Sequence, residues 1–293
     1  MNILVTGSNG FVGRNIVAFI KDCHHIIGCG KKSLSLIDVD EYIRWDLGND
    51  DIPESLLSVD IDCIIHCSAS LDKNNDSEDL VKVNCIGTHR LYRLSKIKKI
   101  KCFILISSIP IIGVPSAEIT ESTQLDPLSI YHATKVSQEM IINTLKVDNI
   151  RPVALRIPSP IGPGLDNNSI VPVFIKNALM NKELILCGNG TRRQNYIDVR
   201  DVAKAVSLSI ENTSVSGVYN VASEFTYSNI EIAKMCIDIC NSASKIQFNG
   251  LQDPCDDHNW IVNTDKFKTA VNYRPTYNIH TTLSDMIRYI TVN

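Results

Sequence analysis

The chain begins Met1-Asn2-Ile3-Leu4-Val5-Thr6-Gly7-Ser8-Asn9-Gly10-Phe11-Val12-Gly13-Arg14-Asn15-Ile16-Val17-Ala18-Phe19-Ile20. An apolar strand-like run enters glycines spaced G-x-x-G-x-x-G and leaves as an amphipathic helix. Glycines in this pattern permit a tight turn and let the backbone approach a pyrophosphate at the helix N-terminus. A glycine triplet alone is weak evidence; a strand before it and a helix after it are the context that the turn requires. Gly7, Asn9, Gly10, Phe11, Val12 and Gly13 are therefore expected to cradle a dinucleotide.

The second apolar run, His25-Ile26-Ile27-Gly28-Cys29-Gly30, ends at Lys31-Lys32-Ser33. A site for NAD usually carries an acid roughly 20 residues after the turn, to take the ribose 2′-hydroxyl. Here Lys31 and Lys32 stand instead, and two ammonium groups suit a 2′-phosphate. NADP(H) is the favoured cofactor, with NAD(H) open if both lysines only solvate a loop. Asp46-Leu47, at a strand end, suits an adenine edge. The run Cys63 to Ala69 closes in Cys67, Ser68 and Ala69, small residues that let backbone come close to a cofactor. A further buried run, Cys102 to Ile106, delivers Ser107-Ser108. Short apolar strands alternating with helices predict an α/β fold with a doubly wound parallel (Rossmann) sheet. The expected division is a dinucleotide-binding domain, 1–156 plus about 191–223, and a smaller discontinuous C-terminal substrate lobe, about 157–190 plus 224–293.

Tyr131-His132-Ala133-Thr134-Lys135 opens a helical run to Leu145. A Tyr and a Lys four apart share one helix face. An ammonium near a phenol favours phenolate and makes it a usable proton donor or acceptor near neutral pH. His66 and His132 stand alone and read as core or cofactor-lining side chains. The ten cysteines have no metal-ligand spacing and read as reduced core residues, so no metal is expected.

Of 293 residues, 44% are hydrophobic and the net charge is −3, without a long basic block. A large core is expected and nucleic-acid binding is not. No apolar run reaches the roughly 18 residues of a membrane span. Met1 leads directly into a strand, so the expectation is a cytoplasmic chain without a signal peptide or membrane association.

Several segments together resemble the extended short-chain dehydrogenase/reductases, the group of nucleotide-sugar epimerases, dehydratases and reductases. Thr6 to Gly13 is similar to the family's T-G-x-x-G-F-x-G. Asp46-Leu47 is similar to D-[IL], His66 to Ala69 to H-x-A-[AG], and Asn84 to Thr88 to N-x-x-G-T. Ser107-Ser108 followed by Gly113 resembles S-S-x-x-V-Y-G, and Tyr131 with Lys135 resembles Y-x-x-x-K. Arg156 to Gly164 resembles R-x-x-N-x-x-G-P-G. The resemblance implies hydride transfer at a carbinol or ketone carbon. Tyr131 would exchange the proton, and Lys135 would hold the nicotinamide ribose and depress the tyrosine pKa. Ser108 would bond the substrate oxygen, Asn84 would support the geometry, and Ile157 would line the cofactor. A homodimer through the helices bearing Asn84 and Tyr131 is a family expectation.

Departures from the pattern concern the substrate. Dehydratases of the family place an Asp-Glu pair after the catalytic Ser/Thr; Ile109 and Pro110 stand there and cannot donate a proton, so 4,6-dehydration is disfavoured. Ser159 replaces the usual Asn. The arginine slot of G-x-G-x-x-x-R-D-F holds Gln194, with Arg192 and Arg193 upstream, and Asp253, Asp256 and Asp257 stand where a further arginine is usual. Ser159, Arg192 and Arg193 are the substrate-binding candidates. The leading expectation is an NADP(H)-linked ketoreductase or epimerase acting on a sugar-type small molecule, in particular a nucleotide sugar. The alternatives are the same chemistry on a lactone, steroid-like or secondary-metabolite ketone, or an NADP(H)-binding sensor without turnover.

Overall fold

A computed structural model describes residues 1–71, 77–115 and 117–292. The first strand, β1 (Asn2–Thr6), sits inside the central sheet because Ile3, Leu4 and Val5 are apolar on both faces, as a strand covered by helices on both sides requires. The sheet continues through β2 (His25–Gly30), β3 (Glu41–Arg44), β4 (Cys63–His66), β5 (Cys102–Ser108) and β6 (Arg151–Ile157). Three short strands follow, β7 (Ser159–Ile161), β8 (Leu184–Leu186) and β9 (Arg193–Asp198), and then β10 (Gly217–Asn220), β11 (Thr226–Ser228) and β12 (Ile246–Phe248). The seven-stranded sheet has the order β10-β6-β5-β4-β1-β2-β3, with every pairing parallel. Strand order reverses beside β1, and ligands of open α/β sheets bind in the crevice at such a point.

Two apolar clusters cover the two faces of this sheet. One packs helices Phe11–Ile20 and Val199–Glu211 against Ile3, Val5, Ile65 and Ile104. The other packs Leu91, Leu94, Ile142 and Leu145 against Leu4, Ile64 and Phe103. A third cluster joins helices Ile170–Leu179, Asn229–Ile239 and Ile279–Val292 over β8. The smaller sheets are β11-β9-β7 and β12-β8.

Phe267 and Tyr273, expected in the smaller lobe, are buried in the first cluster with Tyr219 of β10. The chain thus returns to the large sheet near its end before forming its last helix. Among the described residues, no helix is long and apolar enough to cross a membrane.

Candidate active site

The glycine turn forms for a steric reason. Gly7 has φ +68°, a left-handed value that favours glycine. A Cβ on Gly13 would come within 2.2 Å of the Gly7 carbonyl oxygen, so the helix packs against the turn only if residue 13 has no side chain. The result is a cavity of about 350 Å³ at the C-terminal ends of β1, β2 and β4. Gly7, Asn9, Gly10, Lys31, Lys32, Asp46, Leu47, Cys67, Ser68 and Ala69 line it, with Trp45, Ser70 and Val83. The glycine cradle and the two lysines at the far side fit a dinucleotide.

Several of these side chains already have partners. Asn9 Nδ2 donates to the Leu34 carbonyl at 3.2 Å, and its Oδ1 accepts from Leu36 N at 2.7 Å, so Asn9 pins the loop that carries the lysines. Asp46 accepts from Gly48 N and Asn49 Nδ2, both at 3.1 Å. Phe11, Val12, Gly13, Tyr131, Lys135 and Ile157 are not in the cavity wall. Val12 packs on the first core cluster and Ile157 is buried in β6, because an apolar residue at a strand end is drawn into the core.

Helix Ile130–Asn143 starts at Ser129, whose hydroxyl accepts from His132 N at 3.1 Å. That cap puts Tyr131 and Lys135 on the turns facing the sheet. Lys135 is 3% exposed and donates from Nζ to the Ile106 carbonyl at 3.0 Å. Its nitrogen lies 5.9 Å from the centre of the Tyr131 ring. The expectation that Lys135 depresses the tyrosine does not hold for the protein by itself. Burial pushes the Tyr131 phenol up to about 12 and the Lys135 ammonium down to about 8, because desolvation disfavours the charged form of each.

Asn84 is fully buried in a single π-helical turn, Lys82–Ile86, ahead of helix Gly87–Lys98. Such turns are rare and concentrate at functional sites. Its Oδ1 accepts from Ser70 N at 2.8 Å and its Nδ2 donates to the Ser70 carbonyl at 3.2 Å and to Thr134 Oγ1 at 2.9 Å. The Thr134 hydroxyl in turn donates to the Tyr131 carbonyl at 2.7 Å. Asn84 therefore couples the wall of the first cavity to the helix bearing Tyr131 and Lys135.

Ser107 donates to Glu139 Oε1 at 2.6 Å, and Glu139 is paired with Arg156 at 2.8 Å, both side chains nearly fully buried. That fixes the end of β5 against helix and β6 and leaves Ser108, half-buried, as the serine without such a tie. His66 is a core residue, bonded to Thr6, Thr88 and Gln138, and burial holds it neutral with its pKa lowered to about 3.

A second cavity has a volume of about 300 Å³, and neither it nor the first is lined by Tyr131 itself. His132, whose ring centre is 5.5 Å from that of Tyr131, lines the second together with Pro110, Ser159, Arg192, Gln194, His258 and Trp260. Ser159 donates to Gln194 Oε1 at 3.3 Å. Among the described residues, His132 Nδ1, Arg192 Nε and Trp260 Nε1, and also Asp256 Oδ1, are buried without a hydrogen-bond partner. A buried donor left unpaired costs about 1–3 kcal/mol.

Arg193 does not share the fate of Arg192. It pairs with Glu231 at 3.0 Å and donates to the Thr226 carbonyl at 2.8 Å, so it closes the β9–β11 edge and lies outside the cavity wall. Arg192 precedes β9, whereas Arg193 is its first residue and meets Glu231. Sequence reading missed Trp260 and His258. They reach the site because Arg193 N donates to the His258 carbonyl at 2.9 Å, a pairing across 65 residues that no local pattern announces. A third depression of about 910 Å³ lies apart, around Gly188, Asp253 and Asp256.

Comparison with known proteins places this geometry. The chain is 26% identical over 271 residues to dTDP-D-glucose 4,6-dehydratase of Dictyostelium discoideum, which covers 81% of this chain and 62% of that protein. It is 27% identical over 294 residues to a trifunctional UDP-glucose 4,6-dehydratase/3,5-epimerase/reductase of Arabidopsis thaliana, 91% of this chain but 44% of that protein. The chain thus spans about half to three fifths of these relatives' lengths. UDP-glucuronic acid 4-epimerase of Bacillus cereus, solved with UDP-glucuronic acid and NAD, superposes with a TM-score of 0.88 at 26% identity, over 100% of this chain and 99% of that one. A sequence model of one family matches residues 3–222, and on that ground the chain belongs to the NAD dependent epimerase/dehydratase family.

Proposed function

We propose that the chain is a nucleotide-sugar oxidoreductase that moves hydride at a carbinol or ketone carbon beside Tyr131. The observation that carries this reading is the buried Tyr131–Lys135 pair, linked through Thr134 and Asn84 to a glycine-lined cavity, with the adjoining His132 lining a second one. A bound nicotinamide supplies or accepts the hydride. Tyr131 passes the proton to or from the substrate oxygen, and Ser108 donates a hydrogen bond to that oxygen as charge develops. Lys135 would hold a nicotinamide ribose and keep a positive charge on the Tyr131 side of the helix, 5.9 Å from the ring centre. Asn84 is a positioning residue: its partners are Ser70 and Thr134, not the reacting atoms.

Two finer points belong to the same reading. Lys31 and Lys32 line the cavity beside Gly30, whereas its acids, Asp46 and Asp79, come from other segments, and the nearest acid after the lysines in sequence, Asp38, pairs with Lys21. That supports NADP(H)-linked ketoreduction. Ile109 is fully buried and Pro110 lines the second cavity, where neither can protonate a leaving hydroxyl, which supports disfavoured 4,6-dehydration. Epimerisation with NAD is the second reading, favoured by the likeness to the B. cereus 4-epimerase that holds NAD. Fluorescence titration with NADPH and NADH separates the two. Tighter NADPH, weakened by Lys31→Ala and Lys32→Ala, supports the reductase; tighter NADH removes it. The homodimer proposal is supported by exposed Val81, Ile86, Ile97 and Met140 on and beside the helices bearing Asn84 and Tyr131. A monomer in sedimentation equilibrium contradicts it.

A further inference from the structure

We propose that Glu139 is a positioning residue for the chemistry at Tyr131: its carboxylate ties β5 and β6 to the helix one turn beyond Lys135, and its negative charge keeps Lys135 an ammonium. Both oxygens of this buried side chain are taken by the neighbouring strands. Oε1 accepts from Ser107 Oγ of β5 at 2.6 Å and from Arg156 Nε of β6 at 2.9 Å, and Oε2 accepts from Arg156 Nη2 at 2.8 Å. A guanidinium that grips a carboxylate with two nitrogens fixes angle as well as distance. Ser107 directly precedes Ser108, and Lys135 lies four residues before Glu139, on the same face of the helix. The clamp thus sets the strand end that carries the serine against the helix that carries the lysine.

Charge gives the clamp its second task. Burial lowers Lys135 to about 8, and Cys67 and Glu139 oppose that fall. Cys67 follows β4, and burial pushes its own thiol up to about 12, so it is neutral at pH 7. The other ionisable groups that face the lysine are neutral as well. Burial raises Tyr131, on the same helix, to about 12 and lowers His66 of β4 to about 3. From β5 the lysine meets the Ile106 carbonyl. Among the described residues, Glu139 is therefore the negative charge that acts on Lys135 at neutral pH. Arg156, 4% exposed, is a second buried cation that depends on the same carboxylate. Losing Glu139 would leave two buried cations without a counter-charge, and the lysine can answer by giving up its proton. The proposed function needs a positive charge on the Tyr131 side of the helix, and the inference rests on that reading for this use alone.

The test is an NMR titration of Lys135 in the full chain, without cofactor, using lysine labelled with carbon-13 at Cε. The Lys135 signal is the one missing from Lys135→Met, and pH is varied from about 6 to about 11. Wild type is expected to titrate at about 8. Glu139→Gln keeps the shape and removes the charge, and its midpoint is expected to fall by about one pH unit or more. Glu139→Asp shortens the clamp and keeps the charge, so its midpoint is expected to stay close to that of wild type. A purely structural role would lower thermal stability in both variants and move the midpoint in neither. Breaking a buried ion pair can unfold a protein. The double variant Glu139→Gln with Arg156→Met removes both charges at similar volume, and if Glu139→Gln does not fold it is read instead, again with a lowered midpoint expected. The same preparations are assayed with NADPH and NADH for turnover of nucleotide sugars. A lowered midpoint in a protein whose wild type turns over none of them keeps the inference and removes the proposed function. The inference is overturned if Glu139→Gln, or the double variant in its place, titrates as wild type does. It is also overturned if Glu139→Asp moves the midpoint as far as the variant without the charge.

Discussion

Lys135→Met is predicted to stabilise the protein while abolishing turnover. At ~1.4 kcal/mol per pKa unit, a fall from 10.5 to about 8 means that holding Lys135 charged inside the fold costs about 3 kcal/mol near pH 7. The residue is 3% exposed, so solvent screening relieves little of this. Methionine has similar length and carries no charge, but it loses the bond from a charged donor to the Ile106 carbonyl, worth about 1.5–3 kcal/mol. The net expectation at pH 7 is a gain of about 0–1.5 kcal/mol, a rise in Tm of up to a few degrees. The pH dependence fixes the cause. Below about 8 the folded lysine is protonated against its environment, and the cost is fully present. Between about 8 and 10.5 the unfolded chain binds the extra proton, so wild-type stability rises with pH. Above 10.5 both states are neutral and the cost is gone. The advantage of Lys135→Met should therefore be largest at pH 7 and shrink as pH climbs through 8 to 10.5. Urea unfolding of both proteins at a series of pH values measures it. A variant less stable than wild type at pH 7, or a difference independent of pH, refutes the reasoning.

Three further outcomes follow from the same geometry. Tyr131→Phe should leave NAD(P)H binding intact and lower turnover by about 10²–10⁴; unchanged turnover removes Tyr131 from the chemistry. Gly13→Ala places a Cβ 2.2 Å from the Gly7 carbonyl oxygen and must push the helix off the turn. NADH fluorescence should then show binding weakened by at least about tenfold, and full-strength binding would contradict the packing argument. Asn84→Ala leaves Ser70 N and Thr134 without their partner and is expected to raise KM for cofactor and lower kcat together. An unaltered kcat, with folding confirmed by circular dichroism, would limit Asn84 to structure.

The parallel sheet was legible in the sequence because its strands are buried on both faces and so read as continuous apolar runs, such as Ile3-Leu4-Val5 and Phe103-Ile104-Leu105. The glycine turn was legible because sterics leave no other residue type at positions 7 and 13. Spacing found Tyr131 and Lys135, since a helix turns residues four apart onto one face. Electrostatics escaped it: whether Lys135 depresses the phenol depends on burial and distance, and the structure has both groups desolvated and the ammonium turned to Ile106. The fates of Arg192 and Arg193 also depended on where β9 begins and on Glu231, 38 residues from Arg193 in sequence. Trp260 and His258 enter the site by a long-range backbone pairing that composition does not encode.

The central claim, hydride transfer beside Tyr131, is tested most directly by the absorbance of the bound nicotinamide. Cofactor-loaded protein is mixed with a panel of nucleotide sugars and followed in a single turnover. The account predicts a change in the reduced-nicotinamide band with at least one of them, and a much slower one in Tyr131→Phe. A nucleotide sugar that binds without any change in that band across the whole panel, or equal rates in wild type and variant, would contradict it.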